Sequence, residues 1–356
     1  MSGGMKGRDA MELLRRLCEA DGISGQEDGI VEIFREALKD HADAVSTDAM
    51  KNVIAVRYGS EGDDRPVVML AGHIDEIGFL VYNIDDGGFA SVVPVGGWDP
   101  ANILGHTVRV HTRGGELLPA VMHRMWEPPG KDKGSSTKID KLYLDFGLTA
   151  ETVKEKVSRG DWVSMDTEFM ELGDCLLAKA FDDRVGAYII IEAMKRYSNP
   201  AIDVYAVGTS QEEVGLRGST VAAQTIGPDV GIAVDITGAG DTPGYPARMK
   251  IADLGKGVAI KQMDSSVISS TPLVEYMRKL AEEKGIDHQM EILARGGTDT
   301  SSMQRFSPGA HSTCLSIPTR YGHSPVAVVH RHDVETAVEL LTEFLNSLSR
   351  EADFIP

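Results

Sequence analysis

Cysteine is scarce in this chain. Only Cys18, Cys175 and Cys314 occur among 356 residues, far apart and odd in number. That excludes a disulfide framework and a Cys-rich zinc site, and it fits a reducing compartment. Positive charge is also short: 36 Lys and Arg face 54 Asp and Glu, for a net charge of −18. Nucleic acid is therefore excluded as a partner, because phosphate binding needs clustered Lys and Arg. No apolar run approaches the ~18 residues of a membrane-spanning helix. The N-terminus, Met-Ser-Gly-Gly-Met-Lys-Gly-Arg-Asp, has no apolar signal core, so a cytoplasmic location is expected. Several motifs are missing too. Ser210 has Gly208 before it but Glu212 two residues after, so no nucleophile elbow exists. Lys256 follows Gly255, but Gly257 stands where a P-loop needs Ser or Thr. His330, His332 and Asp333 lie close together without the spacing of a zinc-binding helix, and read as cap and surface residues.

What remains is an ordinary globular composition, 42% hydrophobic and 25% charged, in a chain long enough for two domains. The chain reads as α/β at both ends. Helices are expected over 9–21, 27–40, 184–197 and 272–284. Strands are expected over 52–57, 67–71, 203–208, 230–235, 287–293 and 312–317. A last helix carries Val334, Ala337, Val338, Leu341, Leu345 and Leu348 at i, i+3, i+4 spacing, with Asp333 expected as its N-cap. Between about 77 and 172 short apolar runs alternate with turn clusters such as Asp85-Asp86-Gly87-Gly88, which suggests a small β-barrel or sandwich. Residues 128–138 read as a mobile loop. The expected division is a discontinuous α/β domain, 1–75 and 173–356, split by an all-β insertion, 76–172.

The chemistry gathers at strand ends. Glu212 and Glu213 follow the apolar run that closes at Gly208. Neighbouring side chains on extended backbone point in opposite directions. Two such carboxylates can divide the work, one holding a metal and the other serving as a base toward water. His73 and Asp75 follow the strand at 67–71, where a carboxylate can fix the tautomer of a ligating histidine. Asp182 stands where a strand hands over to a helix, with Asp183 beside it as a candidate cap. Asp235 ends another apolar run, and His323 lies in the loop after 312–317. Each has a structural explanation by itself: a buried histidine, a helix cap, a turn. Together they share the strand ends of one domain, where ligands of α/β sheets collect. Two histidines, several carboxylates and no thiolate suit Zn²⁺ or Co²⁺, and carboxylates can bridge a pair of metals.

These residues lie in segments that resemble the tetrahedral dinuclear metallo-aminopeptidases, a family whose members often carry endoglucanase or cellulase names. The matching segments are Ala-Gly-His-Ile-Asp-Glu-Ile-Gly-Phe (71–79), Ala-Phe-Asp-Asp-Arg-Val-Gly (180–186), Ser-Gln-Glu-Glu-Val-Gly-Leu-Arg-Gly (210–218), Ala-Val-Asp (233–235), Leu-Gly-Lys-Gly (254–257), Gly-Gly-Thr-Asp (296–299) and Arg-Tyr-Gly-His-Ser-Pro-Val (320–326). The resemblance implies an αβα zinc-peptidase domain with mixed sheet, and an inserted barrel-like domain for dimerisation. It implies two divalent metals per subunit, Zn²⁺ or Co²⁺. His73 and Asp235 would hold one, Glu213 and His323 the other, and Asp182 would bridge them. Glu212 would be the general base, with Asp75 orienting His73. Short peptides are the implied substrates, and a dodecamer built from dimers the implied assembly. The rival enzyme reading is a glycoside hydrolase pairing Glu212 with Asp182 or Asp235. It leaves His73 and His323 without a role, and aromatics for sugar stacking are few, 6% of the chain. A non-enzymatic scaffold would need a broken ligand set, and none is broken.

Overall fold

The computed structural model describes residues 8–62, 64–126, 138–306, 308–352 and 354–355. The segment read as a mobile loop, 128–138, lies outside them except for Lys138. The sheet is built around four parallel strands, Asp203–Thr209, Val67–His73, Val230–Gly238 and His311–Arg320, in that spatial order. Their parallel direction explains their composition. A strand covered on both faces has no polar side, and Val68 through Ala71 are all fully buried. Val68 and Leu70 face one layer of the core, while Met69 and Ala71 face the other.

Helix Phe181–Arg196 lies across the first face, its Tyr188, Ile190 and Ile191 fully buried. Each such side chain contributes about 1.5–3 kcal/mol by leaving water. Helices Arg8–Glu19, Asp28–Leu38, Thr271–Lys284 and Arg331–Ser347 fill out this layer. The shorter helices Arg217–Ile226 and Thr300–Arg305 cover the other face. Antiparallel strands extend the sheet at both sides, to 11 strands in all. The sequence reading of a mixed-sheet α/β fold holds, with each of the central strands running one to three residues further than its apolar run.

A second core is separate. Six antiparallel strands between Gly78 and Met165 close into a barrel in the order Gly78–Ile84, Ala90–Val95, Leu142–Asp145, Leu117–Arg124, Thr107–His111, Trp162–Met165. Alternate residues such as Phe79, Val81, Val108, Val110, Met122 and Leu144 point inward. Among the described residues no helix is long and apolar enough to cross a membrane.

One expectation fails. Asp333 does not cap the last helix. The helix begins at Arg331, and the His330 side chain accepts from the His332 amide. Asp333 is fully buried, and its two oxygens accept the Gly255 and Gly257 amides at 2.7 Å each. The Leu-Gly-Lys-Gly turn needs an acceptor for those donors, so the carboxylate is used there. A β-carbon on Gly257, at φ +90°, would stand 2.0 Å from the Asp287 carbonyl oxygen.

Candidate active site

The parallel strands point their carboxyl ends to one edge. In register, His73 pairs with Thr209, and Ala71 pairs with Ala233, so His73 and Asp235 end level on neighbouring strands. Glu212 and Glu213 follow three and four residues after Thr209, and His323 follows three residues after Arg320. Asp182 enters from the start of its helix, where residues 182 and 183 have not yet taken helical angles. All six predicted metal and base residues, His73, Asp182, Glu212, Glu213, Asp235 and His323, are brought together.

Asp182 is the centre. One carboxylate oxygen lies 3.0 Å from His73 Nε2, and the other lies 3.3 Å from His323 Nε2. Glu213 approaches His323 Nε2 at 3.8 Å, and Glu212 approaches His73 Nε2 at 4.0 Å. Ligand atoms of His73, Asp182 and Glu213 lie within 4.8 Å of one another, as do those of His73, Asp183 and Asp235. Both imidazoles are oriented from behind. His73 Nδ1 donates to the Asp75 carbonyl at 3.0 Å, with the Asp75 carboxylate 3.4 Å away. His323 Nδ1 donates to the Gly97 carbonyl at 2.9 Å. Both Nε2 atoms are thereby turned toward the shared carboxylate.

The donor set fits divalent cations. Burial, the Asp182 charge and others push Glu213 up to about 8, although His323 and His73 pull it down. Burial and Asp182 push Asp235 up to about 7, against the pull of His73. Glu212 is raised well above the carboxylate range by burial, Asp235, Asp299 and Glu213, despite His73. Burial opposes charge on His323, but Asp182 and Glu213 raise it to about 9. Burial likewise opposes a charged His73, yet its bonds to Asp182 and Asp75 hold it well above the usual value. Carboxylates this close repel one another unless positive charge lies between them. Glu213 Oε1 is buried and has no hydrogen-bond partner, as an oxygen reserved for a cation would be.

Beneath the site runs a buried ionic network. Lys179, three residues before Asp182, reaches Glu76 at 2.7 Å and Asp21 at 3.1 Å. Arg184 donates to the Leu17 carbonyl at 2.7 Å. Arg109 of the barrel meets Asp21 at 2.9 Å. The strand-to-helix turn that carries Asp182 is therefore anchored on both sides, and the barrel is tied to the same anchor. Beyond the histidines and carboxylates a cavity of about 450 Å³ opens, walled by Thr237, Tyr245, Leu293, Arg295 and Tyr321.

Sequence reasoning missed three contributors. Asp183 was read as a cap, and it does accept the Gly186 amide at 3.0 Å. Its second oxygen is buried and unpartnered, and the carboxylate lies near His73 and Asp235. Asp299 is buried beside the base and accepts from Thr209 at 2.5 Å. Its place in Gly-Gly-Thr-Asp was the available signal. Gly97 had no signal, because it acts through its carbonyl. Asp75 does more than was read: its carboxylate also accepts the Glu212 and Glu213 amides, at 2.9 and 3.2 Å.

A family model described as M42 glutamyl aminopeptidase matches residues 51–340. The lysyl aminopeptidase of Pyrococcus furiosus is 34% identical, covering 97% of this chain and 99% of its own. The solved aminopeptidase of Desulfurococcus kamchatkensis is 35% identical, covers 98% of this chain and 97% of its own, and superposes with a TM-score of 0.93. The TET1 peptidase of Pyrococcus horikoshii is 31% identical, covers 95% of this chain and 100% of its own, and gives a TM-score of 0.82. Likeness of this extent, in sequence and in fold, makes the chain a member of the M42 aminopeptidase family, hydrolases that remove residues from the N-termini of peptides.

Proposed function

We propose that the chain is a co-catalytic dinuclear aminopeptidase acting on short peptides, with two Zn²⁺ or Co²⁺ ions per subunit. The observation that carries this reading is the Asp182 carboxylate, shared between the two Nε2 atoms at 3.0 and 3.3 Å. His73 and Asp235 would hold one ion, Glu213 and His323 the other, and Asp182 would serve both. Bound there, the pair supplies Lewis acidity and lowers the pKa of water from ~15.7 toward neutrality.

The chain's own groups do the rest. Glu212 lies beside the cluster without ligating it, and its raised pKa suits a group that takes a proton from water and returns it to the leaving amine. The Asp75 carboxylate holds the Glu212 amide, so the base has a fixed starting point. The cavity beyond the cluster accommodates the first side chain of the peptide. Binding the free amine near the second ion would make the enzyme exo-acting.

Three further parts of the reading concern location and assembly. The all-β insertion, 76–172, would mediate dimerisation, with 1–75 and 173–356 together forming the discontinuous catalytic domain. Dimers would build a dodecamer, a reading supported by the Pyrococcus horikoshii relative, which can assemble into a tetrahedron or a large octahedral shell. The low cysteine content favours the cytoplasm. The glycosidase alternative is set aside, because the family acts on peptides and both histidines face the carboxylates directly.

The test is a pair of substitutions. Glu212→Gln should keep metal content and lower kcat on aminoacyl-p-nitroanilides by ~10²–10⁴-fold. Glu213→Gln should lose metal instead. Near-normal turnover in the first variant would sink the base assignment.

A further inference from the structure

Six residues that take no part in the cavity wall lace the catalytic pair in place. The segment 22–27 joins the first two helices and runs beside Asp75 and Glu76. Ile23 bridges Glu76 in parallel. The Glu76 amide donates to the Gly22 carbonyl at 3.0 Å, and the Gly22 amide donates to the Glu76 side chain at 3.0 Å. Two side chains then reach further. Ser24 Oγ donates to Asp75 Oδ2 at 2.5 Å. Fully buried Glu27 accepts the Gly25 amide at 2.6 Å and the Gln211 amide at 3.2 Å through one oxygen.

The consequence lies in the order of the donors. Gln211, Glu212 and Glu213 present three successive backbone amides, and all three end on carboxylates: Glu27 for the first, Asp75 for the other two. Gln211 also sits at φ +52°, a left-handed angle that strains a residue with a side chain. A strained turn with aligned donors stays closed only while acceptors hold it. The direction in which each glutamate side chain leaves the backbone is set by that turn.

We propose that Ser24 and Glu27 are positioning residues for the reaction. Ser24 acts through Asp75, and Glu27 acts on the turn itself. This rests on the reading that Glu212 is the base and Glu213 a ligand. Neither Ser24 nor Glu27 touches the cavity, so both act only through the geometry of the pair.

The experiment compares Ser24→Ala, Ser24→Thr, Asp75→Asn and the double variant S24A/D75N in the full chain loaded with Zn²⁺. Ser24→Ala should lower kcat about 10–100-fold, as outer-shell losses do, with KM within about twofold. Ser24→Thr should restore it. The double variant should be no worse than Asp75→Asn alone, because Ser24 works through that carboxylate. Glu27→Gln keeps an acceptor and should stay near wild type, whereas Glu27→Ala should not. Amide hydrogen exchange at 211–213 in metal-free protein should speed up about tenfold in Ser24→Ala. Unchanged kcat with a lowered Tm would overturn the proposal, as would losses that add in the double variant. If the wild-type chain cleaves no peptide substrate, the functional reading falls. Faster exchange at 211–213 would still uphold the strap, and unchanged exchange would overturn it.

Discussion

His323 is the residue where chemistry and conformation conflict most. It is 48% exposed at the side chain, sits at φ +54°, and still faces two carboxylates. Its raised pKa of about 9, with Glu213 at about 8 and Asp235 at about 7, means the empty ligands hold protons near neutrality. A metal must displace them, and each group binds metal only when deprotonated. Because all three values are raised, competition is strongest at low pH and fades as pH climbs through 7 to 9. Zn²⁺ affinity, measured by competition titration at pH 6, 7 and 8, should rise by up to about tenfold per pH unit for each proton released. A flat profile would contradict this proton inventory. At this scale the sequence was legible where a side chain acts: His73, Asp182, Asp235 and His323 all stood at the ends of apolar runs. It was illegible where the backbone acts, as at Gly97. Asp183 was half legible, since a cap and a donor near the cluster require the same carboxylate.

Among the elements, the turn after the first helix joins the barrel electrostatically, Asp21 meeting Arg109 at 2.9 Å. Burial raises Asp21, but the bond from His111 and the charges of Lys179 and Arg109 hold it well below the usual carboxylate range. A depressed folded pKa contributes stability above the unfolded value, near pH ~4, and loses it as acid titrates the folded group. Asp21→Asn should therefore destabilise the protein at pH 7 by about 3 kcal/mol, since it leaves buried Lys179 short of a partner. The gap should narrow below pH ~4. Thermal melts of both proteins at pH 7 and pH 3 check this, and a constant gap would count against it. Elements with strong periodicity were readable: the last helix and the four central strands fall where the apolar runs are. Helix Arg217–Ile226 was not read, because Ser219, Ala222 and Ala223 bury a face too small to register as an apolar stripe. The central strands outran their apolar stretches because polar residues such as His73 and Thr237 at their ends belong to the site.

At the scale of the whole molecule, the barrel carries a group of exposed apolar side chains. Leu117, Val121 and Met125 are exposed along one barrel strand and the residues after it, with Trp126 81% exposed beside them. A monomer gains nothing from a patch of this kind, whereas a self-association surface does. Light scattering should give a mass that is a multiple of 38.4 kDa. Val121→Glu with Trp126→Glu should shift it toward a single subunit. A wild-type mass of one subunit would end the assembly reading.

The Gly97 carbonyl belongs to the barrel, and the imidazole it steers belongs to the other core. The insertion is thus not a passenger that could be trimmed or exchanged while the remainder kept its chemistry. A chimera carrying a foreign barrel would need its own carbonyl at that point, or the histidine would be free to turn away. Chain continuity separates the barrel from the site, but a single hydrogen bond makes it part of the catalyst. Any twist of one core against the other, whether from heat, pressure or a neighbouring subunit, would be felt first at His323.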